Sequence, residues 1–264
     1  MKMDKALPLW ENRYREANET GKELFPAEPH PLVVEALDQV RIRTRHRPSA
    51  IDVGAGTGRH ARELARRGYY VLAVEGAEAA VAAHTRTPAP NTAPDASIEW
   101  VRADVYDWTP PFNADVVLVS FFHERHDGIL AALERVASWM CEGGWLVLVG
   151  HSRLQAGRKV GGPPYADALW DRAALETWLG EHGFEITVSE DVEHAGRCRD
   201  NGRSPSLRER GDDVPVSRGG DDVSVVRSGD DVPVSRGGDD VPESRAVEEE
   251  RLAVTTVLVA RRAR

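Results

Sequence analysis

The sequence has few cysteines and no long apolar runs, and its positive charges are outnumbered by negative ones. Its 264 residues include two cysteines, Cys141 and Cys198, which lie far apart and have no companions at metal-ligand spacing. This pattern indicates free thiols in a reducing compartment, and it predicts no bound metal. No run of about 18 apolar residues is present, and no apolar segment typical of a signal peptide follows Met1. We therefore expect a cytoplasmic protein that does not bind a membrane.

The charge balance is acidic, with a formal net charge of -9. A general nucleic-acid binder needs a basic face, so we expect no nucleic-acid partner. The length allows one large α/β domain or two small ones. A hydrophobic fraction of 41% is enough for a core, whereas the mean hydropathy of -0.44 indicates that a polar segment is attached to it.

A glycine-rich turn at residues 54–58 is the most informative stretch. An apolar run, 50–53, leads into it, and a helix-like segment follows from Arg59. This order predicts a strand, a loop and a helix, in which the glycines let a ligand approach the backbone closely. The helical period places three apolar residues of this helix inward, and it places four charged residues outward: Arg62, Glu63, Arg66 and Arg67.

Strand-like and helix-like segments alternate through the first five predicted strands. Such alternation predicts a parallel sheet that helices cover on both faces. Ligands of these sheets bind beyond the C-terminal ends of the strands. Four residues stand at such ends and are expected to meet there: Gly54, Glu75, Asp104 and Ser120.

The loop fits a dinucleotide poorly. A dinucleotide site requires G-x-G-x-x-G, but the third glycine here is Gly58, and Arg59 stands where that pattern wants glycine. Asp52 would also repel a pyrophosphate. It suits a ligand with cationic groups, such as S-adenosylmethionine (SAM), whose carboxylate can face the helix N-terminus. Asp52 as a hydrogen-bond acceptor that braces the loop is the alternative.

The other two strand-end carboxylates extend the predicted site. We expect Glu75 to accept hydrogen bonds from the ribose hydroxyls, although sites for NAD use a similar residue. Asp104 and the backbone amide of Val105 are expected to bind adenine. Asp104 as a helix N-cap is the alternative.

Residues 50–150 resemble class I SAM-dependent methyltransferases. The segment Asp52–Arg59 matches the cofactor loop of that family, and Glu142–Gly144 is similar to the turn before its fifth strand. Trp10–Tyr14 and Gly161–Pro164 are similar to small bacterial members near the tellurite-resistance and thiopurine methyltransferases. The resemblance implies a Rossmann-like α/β fold with a seven-stranded, mostly parallel sheet, helices on both faces and an antiparallel last strand. The implied cofactor is SAM, and the candidate cofactor-binding residues are Asp52, Gly54, Ala55, Gly56, Gly58, Glu75, Gly76, Asp104, Val105, Ser120 and Phe121.

A nine-residue repeat interrupts the predicted domain. Its units begin at Arg218, Arg227 and Arg236, after a shorter copy at 210–217. They are rich in Gly and Asp, as calcium-binding β-rolls are, but Asp and mostly Pro occupy the positions where a roll needs Gly and Asp. We predict a disordered low-complexity insert at 195–250, inside the final hairpin. A tether that binds a partner is the alternative.

The remaining chain is predicted to form an N-terminal arm or lid, residues 1–30, and one methyltransferase domain, residues 31–264. Because this leaves no room for a separate substrate domain, we expect methyl transfer to a small molecule. His123 is the candidate general base, with a structural role as the alternative. Trp10, Tyr14 and His151 are the candidate acceptor residues. A non-catalytic SAM-binding scaffold or a nucleotide-dependent oxidoreductase is the alternative function, and a monomer or homodimer is expected.

Overall fold

A computed structural model of the chain describes residues 7–44, 46–84, 97–125, 128–158, 160–163, 165–195 and 252–263. Its helices are α1 (Leu7–Thr20), α2 (Pro31–Asp38), α3 (Arg59–Arg66), α4 (Glu78–His84), α5 (Gly128–Ala137) and α6 (Arg172–Glu181). Its strands are β1 (Ser49–Val53), β2 (Tyr70–Glu75), β3 (Ser97–Arg102), β4 (Ala114–Ser120), β5 (Met140–His151), β6 (Phe184–Ala195) and β7 (Leu252–Arg262).

The strands form one sheet in the order β3-β2-β1-β4-β5-β7-β6. The first five strands are parallel to one another, and β7 runs antiparallel to both β5 and β6. The predicted Rossmann-like fold, with seven strands and an antiparallel last strand, is confirmed. The order reverses between β1 and β4, so the carboxyl ends of these two strands flank a crevice where such sheets bind ligands.

The central strands are buried on both faces. In β4, the run Val116–Val119 is fully inaccessible to solvent, as expected for a strand between two helical layers. One core cluster joins α5 and α6 to one face of the sheet, and another joins α2 and α3 to the opposite face. The helices begin at side-chain caps where these are available. Asp171, for example, accepts hydrogen bonds from the amides of Ala173 and Ala174 at the start of α6.

The predicted outward face of α3 is wrong in part. Arg62 and Glu63 are buried, with 8% and 5% of their surface exposed. Glu63 pairs with Arg66 and Arg67, both at 2.7 Å. Arg62 donates a hydrogen bond to the Thr57 carbonyl at 3.0 Å. A charged side chain that has an ion-pair or hydrogen-bond partner can be buried, even on a helix face that the helical period of the sequence predicts to be exposed.

The final hairpin is longer than predicted. The insert was predicted to begin at residue 195, but β6 extends to Ala195, whose backbone pairs with Leu252 at the start of β7. Ala195 is therefore part of the sheet and not of the insert. The rest of the predicted insert, including the repeats, lies outside the described residues. No helix in the described ranges has both the length and the apolar character needed to cross a bilayer.

Candidate cofactor and active site

The loop between β1 and α3 needs glycine for two separate reasons. Gly54, Gly56 and Gly58 all have positive φ angles, of 68°, 57° and 86°, which only glycine adopts without strain. Neighbouring side chains also fill the space that a Cβ would occupy. A Cβ on Gly56 would lie 2.6 Å from Oη of Tyr14, and one on Gly58 would lie 2.1 Å from the Trp100 ring.

Glu75 holds this loop in place from the end of β2. Its Oε2 accepts a hydrogen bond from the Gly56 amide, and its Oε1 accepts one from the Ala77 amide, both at 2.8 Å. Burial raises the pKa of the Glu75 carboxyl, although these hydrogen bonds oppose the shift. Each carboxylate oxygen can accept a further hydrogen bond, so ribose binding by Glu75 stays a prediction.

Asp52 lies beneath the loop. Its side chain is fully buried, and it does not belong to the residues that line the cleft. Neither carboxyl oxygen has a hydrogen bond of ordinary geometry. Burial and the charge of Glu75 raise the pKa of Asp52 to about 7, against the opposing effects of Arg59 and the Ala61 amide. Direct contact of Asp52 with a cofactor stays a prediction to which the geometry lends no support.

A cleft opens along the carboxyl ends of β1, β2 and β4. Of the predicted site residues, those that line it are Trp10, Tyr14, Gly54, Ala55, Gly56, Glu75, Gly76, Asp104, Val105, Ser120, Phe121 and His123. Gly58 and His151, like Asp52, are not among the lining residues. Four further lining residues belong to stretches that the sequence had already indicated, namely Val53, Thr57, Arg59 and Phe122. The lining residues that the sequence did not indicate are Leu7, Phe25, His60, Val74, Ala103, Tyr106 and Glu124.

At the end of the cleft beyond β3, Asp104 begins a tight turn. Its Oδ1 accepts a hydrogen bond from the Tyr106 amide at 3.0 Å. Val105 is buried behind this turn. The Tyr106 hydroxyl donates to the Gly128 carbonyl at 3.1 Å, which ties the turn to the start of α5. The predicted adenine residues therefore lie together at one end of the cleft, with Tyr106 as an additional aromatic wall.

Comparison with known proteins agrees with this geometry. Residues 50–144 match the family model described as a methyltransferase domain. The chain therefore contains a methyltransferase domain. Its cofactor is SAM. Searching proteins that carry curated descriptions gave no match.

Solved structures share the fold of this methyltransferase at low sequence identity. One is a protein studied for the conversion of a disulfide bond into a thioacetal group during echinomycin biosynthesis, with 15% identity and a TM-score of 0.57, covering 97% of this chain and 92% of that one. TehB from Haemophilus influenzae has 13% identity and a TM-score of 0.52, covering 96% and 67%. A SAM-dependent methyltransferase from Mesorhizobium loti has 16% identity and a TM-score of 0.52, covering 88% and 96%.

The residues of the cleft fit SAM. The three loop glycines leave backbone exposed to a ligand. Glu75 at the end of β2 and Asp104 after β3 add acceptors for hydroxyl and amino groups farther along the same cleft. Apolar and aromatic walls between these polar groups suit a nucleoside ligand.

Phe121 departs from ordinary backbone geometry in the methyltransferase. It has a φ of 52° and is the non-glycine residue with positive φ in the described part of the chain. Its amide donates to the Val149 carbonyl at 2.7 Å. The next residue, Phe122, lies against the glycine loop, because a Cβ on Gly54 would be 2.8 Å from its ring. Strain of this kind clusters at functional sites, and here it lies beside the cofactor loop.

His123 is held through both ring nitrogens. Its Nδ1 is 2.9 Å from the Ala168 carbonyl, and its Nε2 accepts a hydrogen bond from the His151 amide at 3.3 Å. Burial lowers the pKa of His123 to about 4. A general base needs a nitrogen that can reach the substrate proton. The catalytic role of His123 stays a prediction, and its contacts favour the structural alternative.

Further histidines surround Phe121. The rings of His30 and His151 lie 4.9 Å and 5.1 Å from the Phe121 ring, and that of His194 lies 5.3 Å from His30. Burial lowers the pKa of each of these histidines. Within the described ranges, no three side chains of metal-ligating type are arranged to hold a metal ion. These imidazoles are therefore neutral, largely buried parts of the wall beside the methyltransferase cleft.

Proposed function

We propose that this methyltransferase acts on a small molecule. The observation that carries the proposal is the aromatic wall formed by Trp10, Tyr14 and Phe25. The three rings contact one another at centroid distances of 6.2 to 6.5 Å and line the cleft beside the glycine loop. Aromatic rings at this place make the entrance of the cleft narrow, so the methyl acceptor must be small enough to pass between them. A folded protein or an RNA helix is too large to do so.

The aromatic wall is anchored to the rest of the domain. The Asn18 amide donates to the Ala79 carbonyl at 2.8 Å, and the Ala79 amide donates to Glu11 at 3.1 Å. These two hydrogen bonds attach α1 to α4. If residues 1–30 act as a lid, as predicted, α1 therefore covers the cleft while it is packed against α4, with Tyr14 in contact with Gly56.

The cofactor residues are proposed to act by position in the cleft. The loop at Gly54 and Gly56 would hold the methionine part of SAM, Glu75 the ribose, and Asp104 with the Val105 amide the adenine. We propose Trp10 and Tyr14 as acceptor contacts. His151 would act on the acceptor only indirectly, through its ring contact with Phe121.

When bound, SAM supplies a methyl group on a positively charged sulfur. The protein's own residues orient the acceptor and exclude water. Both effects contribute strongly to the rate of a displacement reaction. Phe121 and Phe122 would form the dry wall on the side of β4. With both nitrogens of His123 occupied, the acceptor atom must arrive as a nucleophile already, or lose its proton to solvent.

Incubation of the full chain with methyl-labelled SAM and a cell extract tests the proposal. We expect the label in a dialysable product that chromatography separates from SAM, and no such product when the Gly56→Arg variant replaces the wild type. Label that is retained with protein or RNA would contradict a small acceptor. The monomeric or dimeric state, the lack of a nucleic-acid partner and the insert's possible use as a tether stay predictions.

A further inference from the structure

The turn that follows β4 is strained, and it reaches the cofactor loop. Phe121 has a φ of 52°, in the left-handed region that a residue with a Cβ adopts only at a cost in free energy. Beyond it, the Phe122 ring lies against the loop, because a Cβ on Gly54 would be 2.8 Å from its Cδ2 atom. Both phenylalanines line the cleft. Such a backbone conformation persists only where the surrounding structure holds it, so the neighbours of this turn must stabilise it.

Two hydrogen bonds hold the turn, one on each side of the strained residue. The Phe121 amide donates to the Val149 carbonyl of β5 at 2.7 Å. The Phe122 carbonyl accepts a hydrogen bond from Nε1 of Trp170 at 3.1 Å. The first bond continues the backbone ladder between β4 and β5, whereas the second comes from a side chain. The side chain at position 170 can therefore alter the turn while the sheet stays intact.

Trp170 is itself fixed in position. It lies between β5 and α6, is 1% exposed, and is not among the residues that line the cleft. Its amide donates to the His151 carbonyl at 2.9 Å, and its carbonyl accepts from the Arg153 amide at 2.8 Å. The indole packs on β5, where a Cβ on Gly150 would lie 2.8 Å from three ring atoms. Because backbone and ring are both held, the single N–H group of the indole points in one direction, toward the Phe122 carbonyl.

The hydrogen bond from Trp170 offsets the strain of the turn. A peptide carbonyl in the protein interior needs a donor, and the indole supplies one only while the turn keeps its present shape. Without this donor, the turn can relax to the negative φ that phenylalanine prefers. The Phe122 ring would then move away from Gly54, and the first glycine of the cofactor loop would lose the ring that packs on it.

We propose that Trp170 is a positioning residue for the cofactor. Its indole N–H group, through the Phe122 carbonyl, holds Phe121 at positive φ and so keeps the Phe122 ring against the loop at Gly54. Trp170 acts on the cofactor loop without lining the cleft. The proposal concerns the cofactor side of the cleft, so it does not depend on which molecule accepts the methyl group.

Calorimetry with S-adenosylhomocysteine on the full chain tests this role. Trp170→Phe keeps an aromatic ring and removes the donor. We expect the affinity to fall by about fivefold or more, because the Phe122 carbonyl loses its hydrogen bond. Trp178→Phe is the matched control, since Trp178 is 6% exposed and its indole N–H donates to Glu134 at 2.7 Å. Neither Trp178 nor Glu134 lines the cleft, so this variant should bind S-adenosylhomocysteine as the wild type does.

A double-mutant cycle with Phe122→Ala separates positioning from general stability. If Trp170 acts through the Phe122 ring, Trp170→Phe should change the affinity by less than about twofold once that ring is absent, because the effects of coupled residues are not additive. All affinities are measured at a temperature at which thermal unfolding shows the variants to be folded. The proposal is overturned if the losses of the two single variants simply multiply in the double variant, or if Trp170→Phe alone leaves the affinity unchanged.

If Trp170→Phe does not fold, an isostere of tryptophan replaces it in the experiment. Benzothienylalanine at position 170 has a sulfur atom in place of the indole N–H group, so it keeps the shape of the ring but cannot donate. The same loss of affinity and the same coupling with Phe122→Ala are expected. A protein with this isostere that binds S-adenosylhomocysteine as tightly as the wild type would show that the indole hydrogen bond does not position the Phe122 ring.

Discussion

At the scale of single residues, the contact between Gly56 and Tyr14 connects the N-terminal helix to the cofactor loop. Tyr14 is 7% exposed, and its Oη lies where a Gly56 Cβ would be, at 2.6 Å. Burial and the nearby Glu75 raise the pKa of the Tyr14 hydroxyl well above its usual value, so the group stays protonated and can donate. The loop is thus shaped both by its own φ angles and by a side chain more than forty positions away.

Gly56→Ala is therefore expected to cost more than backbone strain. The new methyl group must displace Tyr14, so we expect the affinity for S-adenosylhomocysteine to fall by about tenfold or more, measured by calorimetry. Gly21→Ala is the matched control, because Gly21 has a similar φ of 66° but nothing within 4 Å of its Cβ position. Adding Tyr14→Phe to Gly56→Ala removes the closest atom and should restore part of the affinity. No restoration would mean that strain alone accounts for the loss.

The residues of the cleft divide into those that local pattern could predict and those that it could not. Gly54, Glu75 and Ser120 were predictable because the ends of parallel strands meet at one edge. His60 was not, because it stands in an ordinary helical pattern. Its partners, the His30 amide and Ser120, are 30 and 60 positions away in the sequence. Such contacts follow from the packing of the helix and not from its period.

At the scale of elements, α3 shows where periodicity fails. Its first turn follows the loop so closely that Arg62 bends back to the Thr57 carbonyl and lies against the space beside Gly58. Glu63 is buried because two arginines pair with it. The positions of strands and helices were predictable from apolar runs and glycines, whereas the burial of a charged residue depends on partners that the pattern does not show.

The hairpin of β6 and β7 yields the next prediction. Since Ala195 pairs directly with Leu252, a short turn can join the two strands. Replacing residues 198–249 with such a turn should leave the S-adenosylhomocysteine affinity within about twofold and the protein at least as stable, because closing a shorter loop costs less entropy. Thermal unfolding and calorimetry measure both. If binding is lost in the folded deletion variant, the segment contributes to the site, and the insert is more than a tolerated addition.

A control for that experiment lies in β7 itself. Val257 is buried and its strand pairs with neighbours on both sides. Val257→Pro removes a ladder donor from a strand with two partners, so we expect this variant not to fold. The contrast between a large tolerated deletion and one intolerable substitution would locate the stability of the hairpin in its strands.

At the scale of the whole molecule, buried histidines and buried carboxyls oppose each other as pH changes. Burial lowers the pKa of His30 and His151 to about 3 and that of His123 to about 4, and it lowers those of His60 and His194 as well. These groups stay neutral in the folded state, so the unfolded chain binds protons first when the pH falls below about 6.5. Asp52 behaves in the opposite way. With a pKa of about 7, it is protonated in the folded state first and favours folding as the pH falls from 7.

The five buried histidines affect the free energy of unfolding more than the two buried carboxyls, Asp52 and Glu75, do. The protein should therefore become less stable as the pH is lowered from 7 to 5. Replacing one histidine shows how much that residue contributes to the loss of stability. With a folded pKa of about 3 against the ordinary 6.5, His151 should account for about 2 kcal/mol of the loss between these pH values. Urea unfolding at pH 7 and at pH 5 measures the free energy of unfolding of each protein. Between these pH values, we expect this free energy to fall by that much less in His151→Gln than in the wild type. Each protein is compared with itself, so a constant cost of the substitution cancels. His46→Gln is the control variant, because His46 is exposed. If His151→Gln and the wild type decline in parallel, His151 is protonated in the folded state at pH 5, and the wall beside Phe121 is wetter than its burial indicates.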